Sequence, residues 1–213
     1  MNTTNSVKVH LVIAGLGLAL LSTGCATAPK AERFPTLHVG TTYTIAQSDT
    51  GSFGSGTKQI TLKIAERMWE GKRMIAYVSP NGVTVSTPEG RWAAILAPDE
   101  KPVMTFDPPM GYEYPLEVGK TWTRSCRVTV HAANQTIPLD STSRVEAYEE
   151  VTVPAGTFKT FKIISSDTTG SETVTWSAPE VGMWIKRIET RTAKHRAGPG
   201  TREIQLISQS IPK

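Results

Sequence analysis

The sequence predicts an all-β protein made of two related antiparallel meanders, packed as a sandwich or as a curved, open, barrel-like sheet. Apolar residues alternate with polar ones, as at Ile60, Leu62 and Ile64, and this period of two is typical of strands with one buried face. Turn residues recur between such runs, and the chain contains 14 prolines and 17 glycines. Residues 62–72 also fit a short helix, but the alternation leading into them favours a strand.

The chain begins with a segment typical of a secretion signal. Residues 11–21 are almost wholly apolar and follow Lys8 and His10, and three small residues at positions 22–24 precede Cys25. A helix of about eleven residues spans roughly half of a ~30 Å hydrocarbon core. The segment is therefore predicted to be a signal sequence rather than a membrane-spanning helix.

Residues 21–25, Leu-Ser-Thr-Gly-Cys, resemble the lipobox of bacterial lipoproteins, although the leucine lies one position earlier than is usual. The resemblance implies that residues 1–24 are removed and that Cys25 is acylated, so the membrane is a partner through the N-terminal lipid. Ala26 is not the aspartate that retains lipoproteins of that family at the inner membrane. This implies an outer-membrane anchor facing the periplasm. The alternative is an ordinary secretion signal cleaved near residues 26–28.

The mature chain divides into a tether (residues 25–35), a first meander (36–107) and a second meander (112–213). Residues 37–44 are similar to residues 116–123, and each series later has a glycine two positions before a tryptophan (90 and 92, 182 and 184). Chance similarity between two strand starts is the alternative. Residues 107–111 include Pro108 and Pro109, which have no N–H to donate, so this segment is expected to lie outside any strand ladder and to mark the boundary.

Three motifs in the second meander carry a family resemblance. They are Val-Gly-Lys-Thr-Trp at residues 118–122, Val-Pro-Ala-Gly-Thr-Phe at 153–158 and Pro-Glu-Val-Gly at 179–182. Over residues 112–209 they resemble a group of uncharacterised bacterial envelope proteins whose domain is β-rich and has no known function. The resemblance implies a fold and a location, and it supplies no chemistry.

No pattern predicts catalysis, a metal site or a cofactor, and we expect a protein that is not an enzyme. Ser55 and Lys58 have Ser-x-x-Lys spacing, but a glycine-rich loop precedes them, a strand follows, and the partner motifs of the serine enzymes are absent. The histidines after the signal are far apart in sequence, without metal-ligand spacing. Cys126 alternates with Trp122 and Val128, so it is expected to be a small buried hydrophobic residue.

Two features are candidates for binding. Basic residues gather around the last hairpin, where Arg191, Lys194 and Arg196 are expected to contact an anionic surface such as phosphate-bearing lipid. A solvated loop that protects an edge strand is the alternative. The five tryptophans could line a pocket between the meanders or could pack in the core. The formal net charge of +4 is mild and dispersed, so nucleic acid is not expected as a partner.

These observations support two hypotheses on function. The first is a membrane-anchored, non-catalytic envelope lipoprotein that binds an apolar or amphiphilic envelope molecule on the concave side of a curved sheet. The alternative is a scaffold subunit whose sheet edges and basic hairpin dock an envelope protein complex.

Overall fold

The computed structural model describes residues 29–212 of the chain. In this range there are fourteen strands and one 3-10 turn, His131–Ala133. The strands are β1 (Lys30–Ala31), β2 (Thr42–Gly51), β3 (Gly56–Trp69), β4 (Lys72–Ser79), β5 (Gly82–Ser86), β6 (Trp92–Leu96), β7 (Pro102–Met110), β8 (Leu116–Glu117), β9 (Thr121–Val130), β10 (Gln135–Val153), β11 (Gly156–Asp167), β12 (Ser171–Ala178), β13 (Met183–Arg191) and β14 (Gly200–Ser210). Residues 62–72 end one strand and begin the next, so the strand interpretation is confirmed there.

Twelve of these strands form one closed antiparallel barrel in which each strand pairs with its neighbours along the chain. The two series β2–β7 and β9–β14 are joined twice, because β7 pairs with β9 and β14 pairs with β2. The prediction of an antiparallel all-β fold is confirmed. The predicted sandwich or open sheet is wrong, since the last strand returns to pair with the whole length of β2. Closure leaves no strand of the twelve at the edge of the sheet, although the β7–β9 ladder is short and residues 121–126 of β9 have no partner on that side.

The barrel has two ends that differ in what lies there. The terminal end carries both termini of the described chain and the turns at residues 87–91, 111–120, 154–155 and 179–182, whereas the turn at residues 70–71 folds back towards the β6–β7 turn. The hairpin end carries the turns at residues 52–55, 80–81, 97–101, 131–134, 168–170 and 192–199. Ten-residue strands such as β2, tilted as in other barrels, place the two ends about 25 Å apart.

The internal repeat has a structural counterpart at the start of each series. In both, a glycine before the first strand is joined to one residue on the second strand by two backbone hydrogen bonds. The glycine N–H donates to the carbonyl of that residue. The N–H of the same residue donates to the carbonyl of the residue after the glycine. The residues are Gly40, Ile64 and Thr41 in the first series (2.8 Å for both bonds) and Gly119, Val145 and Lys120 in the second (2.9 Å for both bonds). Six strands follow each of these turns, so β2 corresponds to β9 and β7 corresponds to β14.

A matching irregularity lies farther along each series. The residue after Trp92 has no partner across the β5–β6 pair, and the residue after Trp184 has none across the β12–β13 pair. Such single-residue bulges bend a strand locally and raise its twist. The same bulge at the same position in both series favours a duplicated architecture over chance similarity.

The proline segment differs from its prediction. Residues 107–110 belong to β7 and do not lie outside the sheet. Pairing nevertheless avoids the prolines, because the β7–β9 ladder ends at Asp107 and the β6–β7 ladder passes from Thr105 to Met110. The missing N–H groups of Pro108 and Pro109 therefore shorten the β7–β9 ladder without ending the strand.

Apolar residues fill the barrel interior and also part of its outer face. The interior cluster includes Tyr43, Ile45, Ile64, Ile185, Ile204 and Leu206. On β4, Ala76 points away from this cluster and packs with its neighbour Val85 in a second buried cluster, whereas Tyr77 packs against the interior. An ion pair of 2.7 Å from Arg67 to Glu100 joins β3 to the β6–β7 turn. The sheet therefore folds back over its outer face between β3 and β7.

The N-terminal part of the described chain packs against the terminal end. Strand β1 pairs with β8, and Phe34 meets Tyr114 edge-on with ring centroids 6.2 Å apart. Residues 30, 31 and 34, which belong to the expected tether of residues 25–35, therefore contact the rest of the described chain. Cys25 and the predicted signal lie outside the described residues. In residues 29–212 no helix has the length and apolar character needed to cross a membrane.

Candidate functional site

A cavity of about 690 Å³ lies inside the barrel and runs from the terminal end towards the hairpin end. Strands alternate their side chains between the two faces of a sheet, so inward positions from most strands contribute to it. Its volume lies in the range of small-molecule sites, which is about 300–1,000 Å³.

The wall near the terminal end is apolar and aromatic. It includes Phe34, Leu62, Tyr77, Tyr114, Met183 and Trp184. Burial raises the pKa of the phenols of Tyr77 and Tyr114, so both stay neutral at any physiological pH. This part of the cavity is suited to an aliphatic or aromatic group.

Two turn glycines at this end leave room for side chains from the N-terminal segment. Gly90 and Gly182 have φ of +76° and +75°, and a Cβ at either position would overlap a neighbour. Phe34 occupies the space beside Gly90, and Leu37 occupies the space beside Gly182. These are the two glycines of the repeat that lie two positions before a tryptophan.

The wall near the hairpin end is polar and holds an ion pair. Arg202 donates two hydrogen bonds to the buried carboxylate of Asp49, at 2.7 and 3.2 Å, and the Gln47 amide donates a third at 2.7 Å. Desolvation raises the pKa of Asp49, but the bonds from Arg202 and Gln47 outweigh it, so the net shift is downward. The Arg202 guanidinium also lies 4.5 Å from the ring centroid of Phe53.

A second arginine is directed into the cavity. The Arg187 guanidinium is mostly buried, forms a 2.9 Å ion pair with Glu189 and lies 5.0 Å from the ring centroid of Trp92. Its Nε is buried and has no hydrogen-bond partner in the described structure. The ion pair with Glu189 holds the guanidinium in the cavity wall.

Hydroxyl groups from β10, β11 and β12 form the wall next to the arginines, because β12 pairs with the strand that carries Arg187. They belong to Ser141, Ser143, Ser165, Ser166, Ser171 and Thr173. Ser143 and Ser165 are hydrogen-bonded to each other at 2.8 Å. Hydroxyls donate and accept equally well, so this wall can bind a polar group of either kind.

The structure divides the five tryptophans among different surroundings. Trp92 and Trp184 line the cavity. Trp122 packs in the core against Tyr112, Trp69 lines a separate cleft of about 620 Å³, and Trp176 lies on the outer face with its indole N–H donating to Glu149. The pocket hypothesis therefore holds for two of them and the packing hypothesis for Trp122.

The basic residues near the last hairpin do not form one surface. Lys186 is paired with Glu203 at 3.0 Å, while Arg187 and Arg202 line the cavity. Arg191, one of the three residues expected to contact an anionic surface, donates to the Ser52 carbonyl at 2.9 Å and packs on Phe53. Lys194 and Arg196 are exposed at the hairpin end.

The remaining sequence candidates have structural roles. Cys126 is buried, as predicted, and burial raises the pKa of its thiol. Ser55 lies in the β2–β3 turn and Lys58 on β3, with no helix at either. Within residues 29–212, His, Cys, Asp and Glu side chains form no group of three or more that could hold a metal ion.

Fold and cavity together define an up-and-down antiparallel barrel with an amphiphilic interior. The chain is similar to the hypothetical lipoprotein YmcC from Escherichia coli K12, with 13% identity over 80% of this chain and 86% of that one and a TM-score of 0.44. A candidate exported protein with a YmcC-like fold from Bacteroides fragilis NCTC 9343 is 14% identical over 84% of this chain and 99% of that one, with a TM-score of 0.47. A candidate lipoprotein from Parabacteroides distasonis ATCC 8503 is 10% identical over 83% and 97%, with a TM-score of 0.42. No family model and no curated protein matches the chain.

Proposed function

We propose that the protein is a non-catalytic lipoprotein, anchored in the outer membrane through acylated Cys25 and facing the periplasm, that holds an amphiphilic envelope molecule inside its barrel. The observation that carries the binding proposal is the interior cavity of about 690 Å³, which is apolar towards the terminal end and polar towards the hairpin end. An amphiphile has the same division along its length.

The polarity of the two walls suggests how such a molecule lies. Its apolar part would contact Leu62, Tyr77 and Trp184, where it displaces water from apolar surface. Its polar part would reach Arg187 and the hydroxyl wall, where hydrogen-bond donors and acceptors replace water. The phenols in the apolar wall are neutral, so they do not oppose an anionic group.

The alternative, a scaffold that docks through sheet edges, has less support. The twelve-stranded sheet is closed, so it has no edge strand to which another strand could be added along its whole length. A scaffold would have to use loops or short unpaired stretches such as residues 121–126 of β9. Pull-down from solubilised envelopes tests this alternative separately from ligand binding.

A blocked cavity tests the binding proposal. Ile60 lines the cavity, and Ile60→Trp fills space that a ligand would need. Ile188→Trp on β13 is the matched control, because strand alternation places Ile188 on the opposite face from Arg187. The protein is purified from envelopes, its bound lipid is extracted and measured by mass spectrometry, and native folding is checked by circular dichroism.

We expect Ile60→Trp to lower the amount of co-purified amphiphile about tenfold, equivalent to about 1.4 kcal/mol, while Ile188→Trp leaves it unchanged. Equal amounts in both variants, or no lipid with the wild-type protein, would reject the proposal.

Acylation has its own test. Cys25→Ala should abolish labelling by a radioactive fatty acid and release the protein from membranes, because the acyl chains supply the anchor. Continued lipid labelling of this variant, or wild-type protein found free in the periplasm, would reject the anchor.

A further inference from the structure

Exposed apolar residues gather at the terminal end of the barrel. Among the described residues, five large hydrophobic side chains are notably exposed, and three of them, Val39, Val118 and Ile211, lie in or next to terminal-end turns. Met68 and Val103 lie elsewhere, near the ion pair between Arg67 and Glu100. Val39 is 52% exposed, Val118 is 48% exposed and Ile211 is 51% exposed. Val39 and Val118 occupy the same position in the two copies of the repeat, directly before its glycine.

These residues lie close to where the chain leaves towards Cys25. Lys30 is opposite Glu117 in the short β1–β8 sheet, so the antiparallel register places Pro29 beside Val118. Three residues separate Pro29 from Cys25, and four chain steps span at most about 14 Å. An acylated Cys25 therefore keeps the turn at Val118 close to the membrane surface.

We propose that the turns at Val39, Val118 and Ile211 seat the barrel in the headgroup layer of the membrane that holds the Cys25 acyl chains. The inference rests on the anchoring part of the proposed function and is independent of what the cavity binds. Its partner is a lipid surface, and the barrel stands with the terminal end against that surface and the hairpin end in the periplasm.

The contact is apolar rather than electrostatic. The exposed charges near these turns are mixed, with Glu32, Glu117 and Glu180 alongside Lys30 and Arg33. A seat made by valine and isoleucine side chains depends on burial of apolar surface, so it persists at high salt and in zwitterionic lipid.

The seating places Lys194 and Arg196 away from the anchoring membrane. They lie at the hairpin end, about 25 Å from the seated end, and surface potentials decay over roughly 8–10 Å at physiological salt. In this orientation the predicted anionic contact of the hairpin cannot be with the anchoring membrane.

A label at each end tests the orientation. Val118→Cys and Ser55→Cys place single reactive thiols at the terminal end and the hairpin end, and buried Cys126 is shielded from reagent. The acylated proteins carry an environment-sensitive fluorophore at the introduced cysteine. They are reconstituted into phosphatidylcholine vesicles, with and without headgroup spin-labelled lipid, and vesicle flotation reports the anchor.

We expect the fluorophore at position 118 to shift to the blue and to be quenched at least about twofold by the spin-labelled lipid, unchanged in 1 M salt, because a Debye length of about 3 Å would abolish an electrostatic contact. The fluorophore at position 55 should be unaffected. A second variant, Val39→Asp, should reduce quenching at position 118 without changing flotation.

The outcomes separate the two proposals. Flotation without quenching at position 118, or quenching at position 55, would overturn the seating and leave the anchor intact. Failure to float would overturn both. A blue shift at position 118 in native envelopes but not in vesicles would assign these turns to a protein partner and overturn the lipid seat.

Discussion

The ion pair between Asp49 and Arg202 provides the sharpest test of the polar end of the cavity. Arg202→Met removes both guanidinium bonds, of 2.7 and 3.2 Å, from a carboxylate that is buried inside the barrel. Breaking a buried pair by removing one partner typically costs 3–5 kcal/mol. The Gln47 bond remains and Arg202 is partly exposed, so we expect a loss of about 2–4 kcal/mol in the free energy of unfolding.

The assay is equilibrium denaturation, with Arg127→Met as the matched control. Arg127 forms a 2.9 Å pair with Asp107 on the surface, with both side chains mostly exposed, and its loss should cost about 0–1 kcal/mol. The double variant Asp49→Leu with Arg202→Met leaves no unpaired charge, so it should be less destabilised than the sum of the two single variants. Similar losses for Arg202→Met and Arg127→Met, or additive effects in the cycle, would refute the reasoning.

The same pair predicts a dependence on pH. The pKa of Asp49 is lowered in the folded protein from its ordinary value of 3.8, so the folded state favours the carboxylate. The stabilisation is therefore complete above that ordinary value and is lost as the pH falls through the lower folded value. In Arg202→Met the bonds that lower the pKa of Asp49 are lost, so Asp49 should contribute less to the fall in stability on acidification, and the acid limb should be shallower than in the wild type. An identical acid limb in both proteins would contradict this.

Three further predictions concern other parts of the molecule. Gly90→Ala should lower the free energy of unfolding by about 1–3 kcal/mol, because it adds a Cβ against Phe34 at a positive φ. Gly54→Ala is the control: no atom lies within 4 Å of the added Cβ, so it should cost only the backbone strain of about 1 kcal/mol. Equal losses on thermal denaturation would show that the space beside Gly90 is not needed by Phe34. Arg191→Ala should lower the melting temperature, because its hydrogen bond to the Ser52 carbonyl is lost. Lys194→Ala should change the free energy of unfolding by no more than about 0.5 kcal/mol. A larger loss of stability in Lys194→Ala than in Arg191→Ala would be evidence against a structural role for Arg191. Cys126 should react with a thiol reagent only after unfolding, because burial both shields the thiol and raises its pKa, and rapid labelling of the native protein would refute this.

The sequence carries enough information for the class of fold and not for its closure. Alternation at Ile60, Leu62 and Ile64 identifies strands because one face is buried, and that pattern is the same in an open and a closed sheet. Closure depends on the pairing of β14 with β2. The two strands are far apart in sequence, and no local pattern in either one indicates that the other is its partner. Pro108 and Pro109 are unpaired, as their missing N–H groups predict. They nevertheless belong to a strand, because a strand can pass through prolines where neither neighbouring strand needs their N–H.

The candidate site shows the same limit. Trp92 and Trp184 could be proposed as pocket residues from their equivalent places in the repeat, whereas nothing local separates them from Trp122 or Trp176. The polar wall was missed because Gln47, Asp49 and Ser143 occupy positions that a simple alternation would assign to the core. Gln47 and Asp49 lie on β2 and Ser143 lies on β10, so recognising them as parts of one wall requires the order and register of the strands to be known. The pairing of Phe34 with Gly90 depends on tertiary structure alone.

The pairing of the last strand with the first barrel strand sets an order on folding. Arg202 and Asp49 are 153 positions apart, so β2 has no partner on one side until the C-terminal residues of the chain have been delivered. A chain that crosses a membrane from its N-terminus exposes this unsatisfied strand for the longest time of any part of the barrel. Non-local pairing of this kind folds slowly and exposes aggregation-prone edges meanwhile. The maturation of such a protein would therefore depend on shielding of β2 during export, and truncation of β14 would be more damaging than its place at the end of the chain suggests.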